Sequence, residues 1–126
     1  MGQLDPVVAD ALNRQITNER QNSAIYLAIA NCFDVLNLTG MAHFARQNAK
    51  EEAHHAQWFT EYVIDRYGVP VIDALDAVTM PQPDMLNAAR VLFAAALLRE
   101  QQTTEQIKTI YSLADEADDP QTCKSF

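Results

Sequence analysis

Three apolar segments of this chain each carry one glutamate near mid-length: Glu19, Glu52 and Glu100. On a helical wheel Glu19 falls at the centre of a stripe between Ile16 and Tyr26. Glu52 falls among Met41, Phe59 and Val63, and Glu100 in line with Phe93, Ala96, Ile107 and Tyr111. An ionised carboxylate buried without a partner costs several kcal/mol, and converging carboxylates also repel one another. No lysine or arginine stands on the same faces to neutralise them, so the pattern calls for a shared cation. His55 flanks the face of Glu52 at Glu-x-x-His spacing, so both side chains reach one ion from a single helical turn. Carboxylate oxygens with one imidazole suit iron or manganese better than zinc, and di-iron carboxylate bundles pair this motif with glutamates from facing helices.

Neighbouring candidates are weaker. Glu51 and His54 repeat the Glu-x-x-His spacing, but His54 points to the polar side of the wheel, which removes it as a core ligand. Glu51 lies at the stripe edge, where it could serve an adjacent ion. His43 and His54 read as solvated surface. Tyr26 lies two turns beyond Glu19 on the same face, and Trp58 reads as a core aromatic. Cys32 and Cys123 form no metal-binding or disulfide spacing.

Positioning such side chains requires long helices. Asp5-Pro6 reads as an N-cap with proline at the first helical position. From there Val8, Leu12, Ile16, Ser23, Tyr26, Ala30 and Phe33 recur at steps of three and four. The pattern predicts helices over about 6–38, 41–67 and 84–117 of one domain, each roughly 45 Å long. The second stripe is Met41, Phe44, Ala45, Phe59, Tyr62 and Val63, and the third Met85, Leu86, Ala89, Phe93, Leu97, Ile107 and Tyr111. The segment 68–83 holds Gly68, Pro70, Pro81 and Pro83 and is far longer than the roughly 2–8 residues that adjacent antiparallel helices need. It reads as a crossover along the bundle, which makes the second and third helices parallel. The fold class is therefore all-α, a helical bundle with one long crossover. Asp118-Asp119-Pro120 reads as the cap and first turn of another helix.

Composition narrows the function. Seventeen acidic against nine basic residues give a net charge of −8, which disfavours binding to phosphate backbones. No apolar run approaches the roughly 18 residues of a membrane span. Pro6 stands where a myristoylation signal needs Ser or Thr. The expected setting is cytoplasmic, with no nucleic-acid or membrane partner.

The stretches Leu12–Tyr26 (LNRQITNERQNSAIY) and Ala49–Gln57 (AKEEAHHAQ), the Gly-Val-Pro after the second helix and Arg99-Glu100-Gln101 resemble the non-haem bacterial ferritins. The resemblance runs from about residue 8 to the end of the sequence. It implies a ferroxidase centre in which Glu19, Glu52 and His55 hold one iron and Glu52 bridges to a second held by Glu100. By the same resemblance Glu51 matches a ligand of a nearby third position and Tyr26 the tyrosine beside the centre. The implied reaction is oxidation of Fe(II) to Fe(III) by dioxygen or peroxide, for storage or detoxification. Ferritins continue into a fourth long helix and a short fifth, and this sequence stops where the fourth would begin. That departure predicts an open apolar groove covered by another copy or by a full-length ferritin subunit. The alternative is a truncated, non-catalytic subunit acting in assembly or regulation. A DNA-protecting mini-ferritin fits poorly, since that resemblance would need a different motif spacing and a basic arm.

Overall fold

The computed structural model describes residues 3–78 and 85–126, and within 85–95 the side chains of Arg90, Phe93 and Ala94. Every described regular element is helical: α1 Pro6–Val35, α2 Thr39–Asp65, α3 Met85–Glu116 and the short α4 Pro120–Ser125. Pro81, Pro83 and the side chains of Met85, Leu86 and Ala89, all used in the sequence reading, lie outside the described residues.

Asp5 caps α1 as expected, its Oδ1 accepting from the Val7 N–H at 2.9 Å with Pro6 at the first turn. The three long helices end alike, a residue or more earlier than the sequence reading placed them. Asn37, Tyr67 and Asp118 take left-handed φ values of 59°, 62° and 55°. One residue on, the N–H of Leu38 donates to Phe33 O at 2.8 Å, Gly68 to Val63 O at 2.8 Å and Asp119 to Ala114 O at 2.9 Å. These are the closing bonds of Schellman turns. The sequence suggested Gly68 as the stop of α2, yet Tyr67 bears the left-handed conformation. Gly68 serves close approach instead: a Cβ there would meet Val63 Cγ1 at 2.7 Å and Val63 O at 3.1 Å.

Helix α1 is the spine. Short side chains at Ala42, Ala45, Ala49 and Ala56 are buried on α2 and let it pack closely antiparallel to α1, where Ser23 Oγ donates to Ala49 O at 2.8 Å. The crossover then climbs α1 on a ladder of polar side chains. Asn13 accepts from the Val71 N–H at 3.1 Å, Thr17 donates to Asp73 at 3.4 Å, and Gln21 accepts from the Asp76 N–H at 2.8 Å. Rungs one turn apart on α1 carry the chain back toward the start of α2. Helix α3 therefore runs antiparallel to α1, with Phe33 against Phe93, Tyr26 against Glu100 and Asn22 against Thr103. It lies close to α1, and among the described residues it reaches α2 through side chains such as Phe93 on Phe44, ring centroids 6.0 Å apart.

This asymmetry corrects the predicted α3 stripe. Among the described residues its buried side chains are Ala96, Thr103, Ile110 and Ala114, whereas Phe93, Leu97 and Tyr111 are exposed. A helix docked on one neighbour buries a narrow seam, not the broad stripe that two neighbours would cover. On α2, Phe44 is exposed for the same reason, and Trp58, read as core, is 44% exposed while stacking on Tyr62.

The apolar interior divides into two clusters. One gathers Val8, Leu12, Ile16, Phe59, Tyr62, Val63, Ile110 and Ala114. The other gathers Ile25, Tyr26, Ile29, Ala30, Phe33, Ala42, Ala45, Ala49 and Ala96. Between them Gln15, Glu19, Asn22, Glu52 and Thr103 are buried as a polar deck.

Helix α4 forms from Pro120 as expected, capped by Asp119 accepting from the Thr122 N–H at 3.1 Å. A buried network fastens it to α2. Arg66 Nη1 donates to Asp119 Oδ1 at 3.1 Å and to the Tyr62 hydroxyl at 2.8 Å, and the Tyr62 and Thr122 hydroxyls meet at 2.8 Å. Burial works against ionising Asp119, but hydrogen bonds from Thr122 and the Arg66 guanidinium outweigh it and hold the carboxyl below its usual range.

Two outcomes follow. Tyr67→Gly relieves the left-handed penalty of a bulky residue and stabilises the fold by about 1 kcal/mol, read as a higher melting temperature. Asp119→Asn destabilises by about 3 kcal/mol at neutral pH by removing the carboxylate charge from its buried ion pair with Arg66. Because the folded carboxyl titrates low, its contribution is present above the unfolded value of 3.8 and is lost as pH falls through the folded one. Urea titrations from pH 7 to pH 3 check this: the gap between wild type and Asp119→Asn closes on acidification, and a gap that stayed constant would refute it.

Candidate metal centre

The polar deck has no lysine or arginine among its described members. Arg66 is buried at the end of α2, a cation the sequence reading overlooked, but Asp119 already neutralises it. Glu19 is fully buried on α1 and Glu52 is 3% exposed on the facing side of α2. Gln15, one turn before Glu19, donates from Nε2 to Glu19 Oε1 at 3.0 Å. That leaves Glu19 Oε2 and Glu52 Oε2 buried with no hydrogen-bond partner. An orphaned carboxylate oxygen is costly, and two side by side cost more.

His55 closes the group from α2. Its Nδ1 stands 3.6 Å from Glu19 Oε2 and 3.5 Å from Glu52 Oε2. One ligand atom from each of Glu19, Glu52 and His55 lies within 4.8 Å of the others. The wheel placed His55 beside the buried face, whereas its side chain is 56% exposed. At the rim of the α1–α2 interface, only its imidazole nitrogen turns inward.

Glu100 departs from expectation. It is exposed, because α3 leans on α1 and leaves the side toward α2 open among the described residues. It still faces the deck. Glu100 Oε1 accepts from the Tyr26 hydroxyl at 2.8 Å. Burial, the hydrogen bond to Glu100 and the charges of Glu100, Glu52 and Glu51 all push the Tyr26 phenol above its usual value. Glu52 senses the same crowd. Burial first, then hydrogen bonding and repulsion from Glu19 and Glu100, pushes its carboxyl up to about 10. In the cation-free protein the deck thus keeps a proton on Glu52 at neutral pH.

Glu51 is exposed one residue along, outside the trio. His43 and His54 are exposed, and Cys32 and Cys123 are free thiols. Beyond Glu100 the open side continues as a groove of about 240 Å³ floored by Tyr26, Ile29 and Phe33 and walled by Phe44, Phe93 and Leu97. The sequence reading missed Gln15, Asn22 and Thr103. Gln15 and Asn22 stand four residues before and three after Glu19, so the periodicity that marked Glu19 carried them too.

The donor set fits a divalent cation. Two orphaned carboxylate oxygens and an imidazole nitrogen already converge, and a cation would supply the missing positive charge. Among the described residues no helix is long and apolar enough to cross a membrane.

Comparison with known proteins places the chain in a family. The family profile described as a ferritin-like domain matches residues 9–126. A protein named ferritin BfrB from Mycolicibacterium smegmatis is 34% identical over 93% of this chain and 63% of its own length. A bacterial non-heme ferritin from Bacteroides fragilis (strain 638R) is 33% identical over 55% of this chain and 43% of its own. Ferritin-1, chloroplastic, from Brassica napus is 33% identical over 88% of this chain and 45% of its own. The chain spans about half the length of the curated relatives it matches.

The proton on Glu52 makes a testable difference. Its carboxyl titrates at about 10 when folded against 4.5 when unfolded. Its contribution is whole below the unfolded value, declines as pH rises, and is gone above the folded one. In the presence of chelator, Glu52→Gln therefore gains stability over wild type as pH rises from 5 to 9, measured as urea midpoints. A difference independent of pH would refute the shift.

Proposed function

Since this chain belongs to the ferritin-like domain family, we propose that it takes up Fe(II) at the deck between α1, α2 and α3 and oxidises it to Fe(III) for storage or detoxification. The observation that carries this reading is the pair of buried, partnerless oxygens, Glu19 Oε2 and Glu52 Oε2, with His55 Nδ1 beside them. Iron is the substrate and cargo here. Glu19, Glu52 and His55 hold the first ion. Glu52, drawn toward both Glu19 and Glu100, bridges to a second that Glu100 binds. Glu51, exposed at the next position, receives an ion nearby.

The residues of the deck have distinct duties. Glu52 gives up its proton when Fe(II) enters, since the cation replaces the proton as the countercharge. Tyr26 stays a neutral phenol and holds Glu100 by donating its hydrogen bond. The buried clusters above and below exclude water from Glu19 and Glu52. Two Fe(II) each lose one electron and dioxygen accepts both with two protons, giving hydrogen peroxide; peroxide serves equally as the acceptor.

A second reading is favoured by a specific observation. Phe44, Phe93 and Leu97 form an exposed apolar patch along the open side, and exposed apolar patches mark association surfaces. On this reading the chain self-associates or joins a full-length ferritin subunit and contributes to assembly. The free thiols fit a reducing, cytoplasmic setting for either role.

Aerobic Fe(II) addition discriminates the two. The wild type produces the near-ultraviolet rise of ferric oxo species faster than buffer, and Glu52→Ala or His55→Ala drops the rate to that of buffer. A wild type no faster than buffer that nonetheless co-purifies with a full-length ferritin would replace the first reading by the second.

A further inference from the structure

Glu19 and Glu52 sit on helices locked together by closely packed small residues, but Glu100 sits mid-way along α3, which among the described residues comes close only to α1 and, at its far end, to the short α4. Something must fix where α3 stops along and around α1, or Glu100 would not stand beside Glu52. Among the described residues two side-chain hydrogen bonds cross that seam. Tyr26 to Glu100 involves the carboxylate itself, so it would compete with any ion there. The other, Asn22 Nδ2 donating to Thr103 Oγ1 at 2.7 Å, is independent of the ligands.

We propose that the Asn22–Thr103 hydrogen bond is the positioning brace of the centre, setting the register of α3 so that Glu100 stands beside Glu52 to take the second cation. This deepens the proposed iron reading and rests on it. Asn22 is 5% exposed and Thr103 7%, so the bond is made away from bulk water. Asn22 lies three residues after Glu19, and Thr103 three after Glu100. The brace therefore sits one turn from each carboxylate, on the same faces. Its polarity is fixed. The Thr103 hydroxyl is also within 3.1 Å of Arg99 O, to which it donates, leaving a lone pair for the Asn22 amide. Unlike an apolar contact, which tolerates sliding, a buried bond of defined donor and acceptor admits one register, because a slip leaves both groups unpaired. Asn22 and Thr103 need touch neither ion nor oxidant.

Co(II) binding to the full chain, followed by calorimetry and by its visible absorption, tests this with five variants. Asn22→Leu weakens Co(II) affinity by roughly 10- to 100-fold, the usual range for a group that orients a ligand. In the Asn22→Leu background the further change Glu100→Ala has little effect, because Glu100 is already out of place. Equal losses from Glu100→Ala in both backgrounds would overturn the brace. Thr103→Val leaves the Asn22 amide buried without a partner, so the double variant Asn22→Leu/Thr103→Val provides a control for folding. The double variant regains melting temperature relative to Thr103→Val while affinity stays low. Affinity returning together with stability would reduce the pair to packing and refute positioning. A wild type that binds no Co(II) would instead defeat the iron reading, and the brace with it.

Discussion

The structure depends on the burial of like charge. Two carboxylates in a dry interior, with a third at its edge, are tolerable only with a proton, a hydrogen-bond donor or a metal ion as countercharge. Each device has its place here. Gln15 occupies one oxygen of Glu19, and Glu52 holds a proton to unusually high pH. The two remaining oxygens point at each other's neighbourhood with His55 at the rim. The interior is divided around this layer, with apolar clusters on either side and polar side chains between them. Burying such a layer sacrifices core that leucines could have filled, a sacrifice that binding a cation explains.

Much of this was legible in the sequence because its signals are local. Helix periodicity, the Asp5-Pro6 and Asp119-Pro120 starts, the proline-marked crossover and Glu-x-x-His all depend on residues a few positions apart. The inward positions of Glu19 and Glu52 followed from one helix at a time. Glu100 and His55 did not, because exposure depends on which neighbours surround a helix. A wheel assumes a neighbour for every apolar stripe, and among the described residues the mid-part of α3 has close contact with α1 but not with α2. The same assumption misplaced Phe93, Leu97 and Tyr111. Arg66 was overlooked for a related reason. Its partner lies 53 residues away, and nothing local pairs a helix-terminal arginine with Asp119.

Glycine also misled in one respect. The sequence has three, and the predicted second helix stops just before one of them, Gly68. In the structure each long helix stops on a left-handed asparagine, tyrosine or aspartate. Hydrogen bonds back to the last turn over-determine these ends, so they form without the residue that would adopt the conformation most cheaply.

The alanine-lined pairing of α1 and α2, set against the looser α3, has a consequence for ion size. An iron ion contracts when it loses an electron, and ligands fixed on every side would be left too far away. Here Glu19 and Glu52 stand on an unyielding base while Glu100 belongs to the less closely held α3. On the proposed reading, such a centre would tighten around the smaller ion by shifting a single wall, with no repacking of its floor.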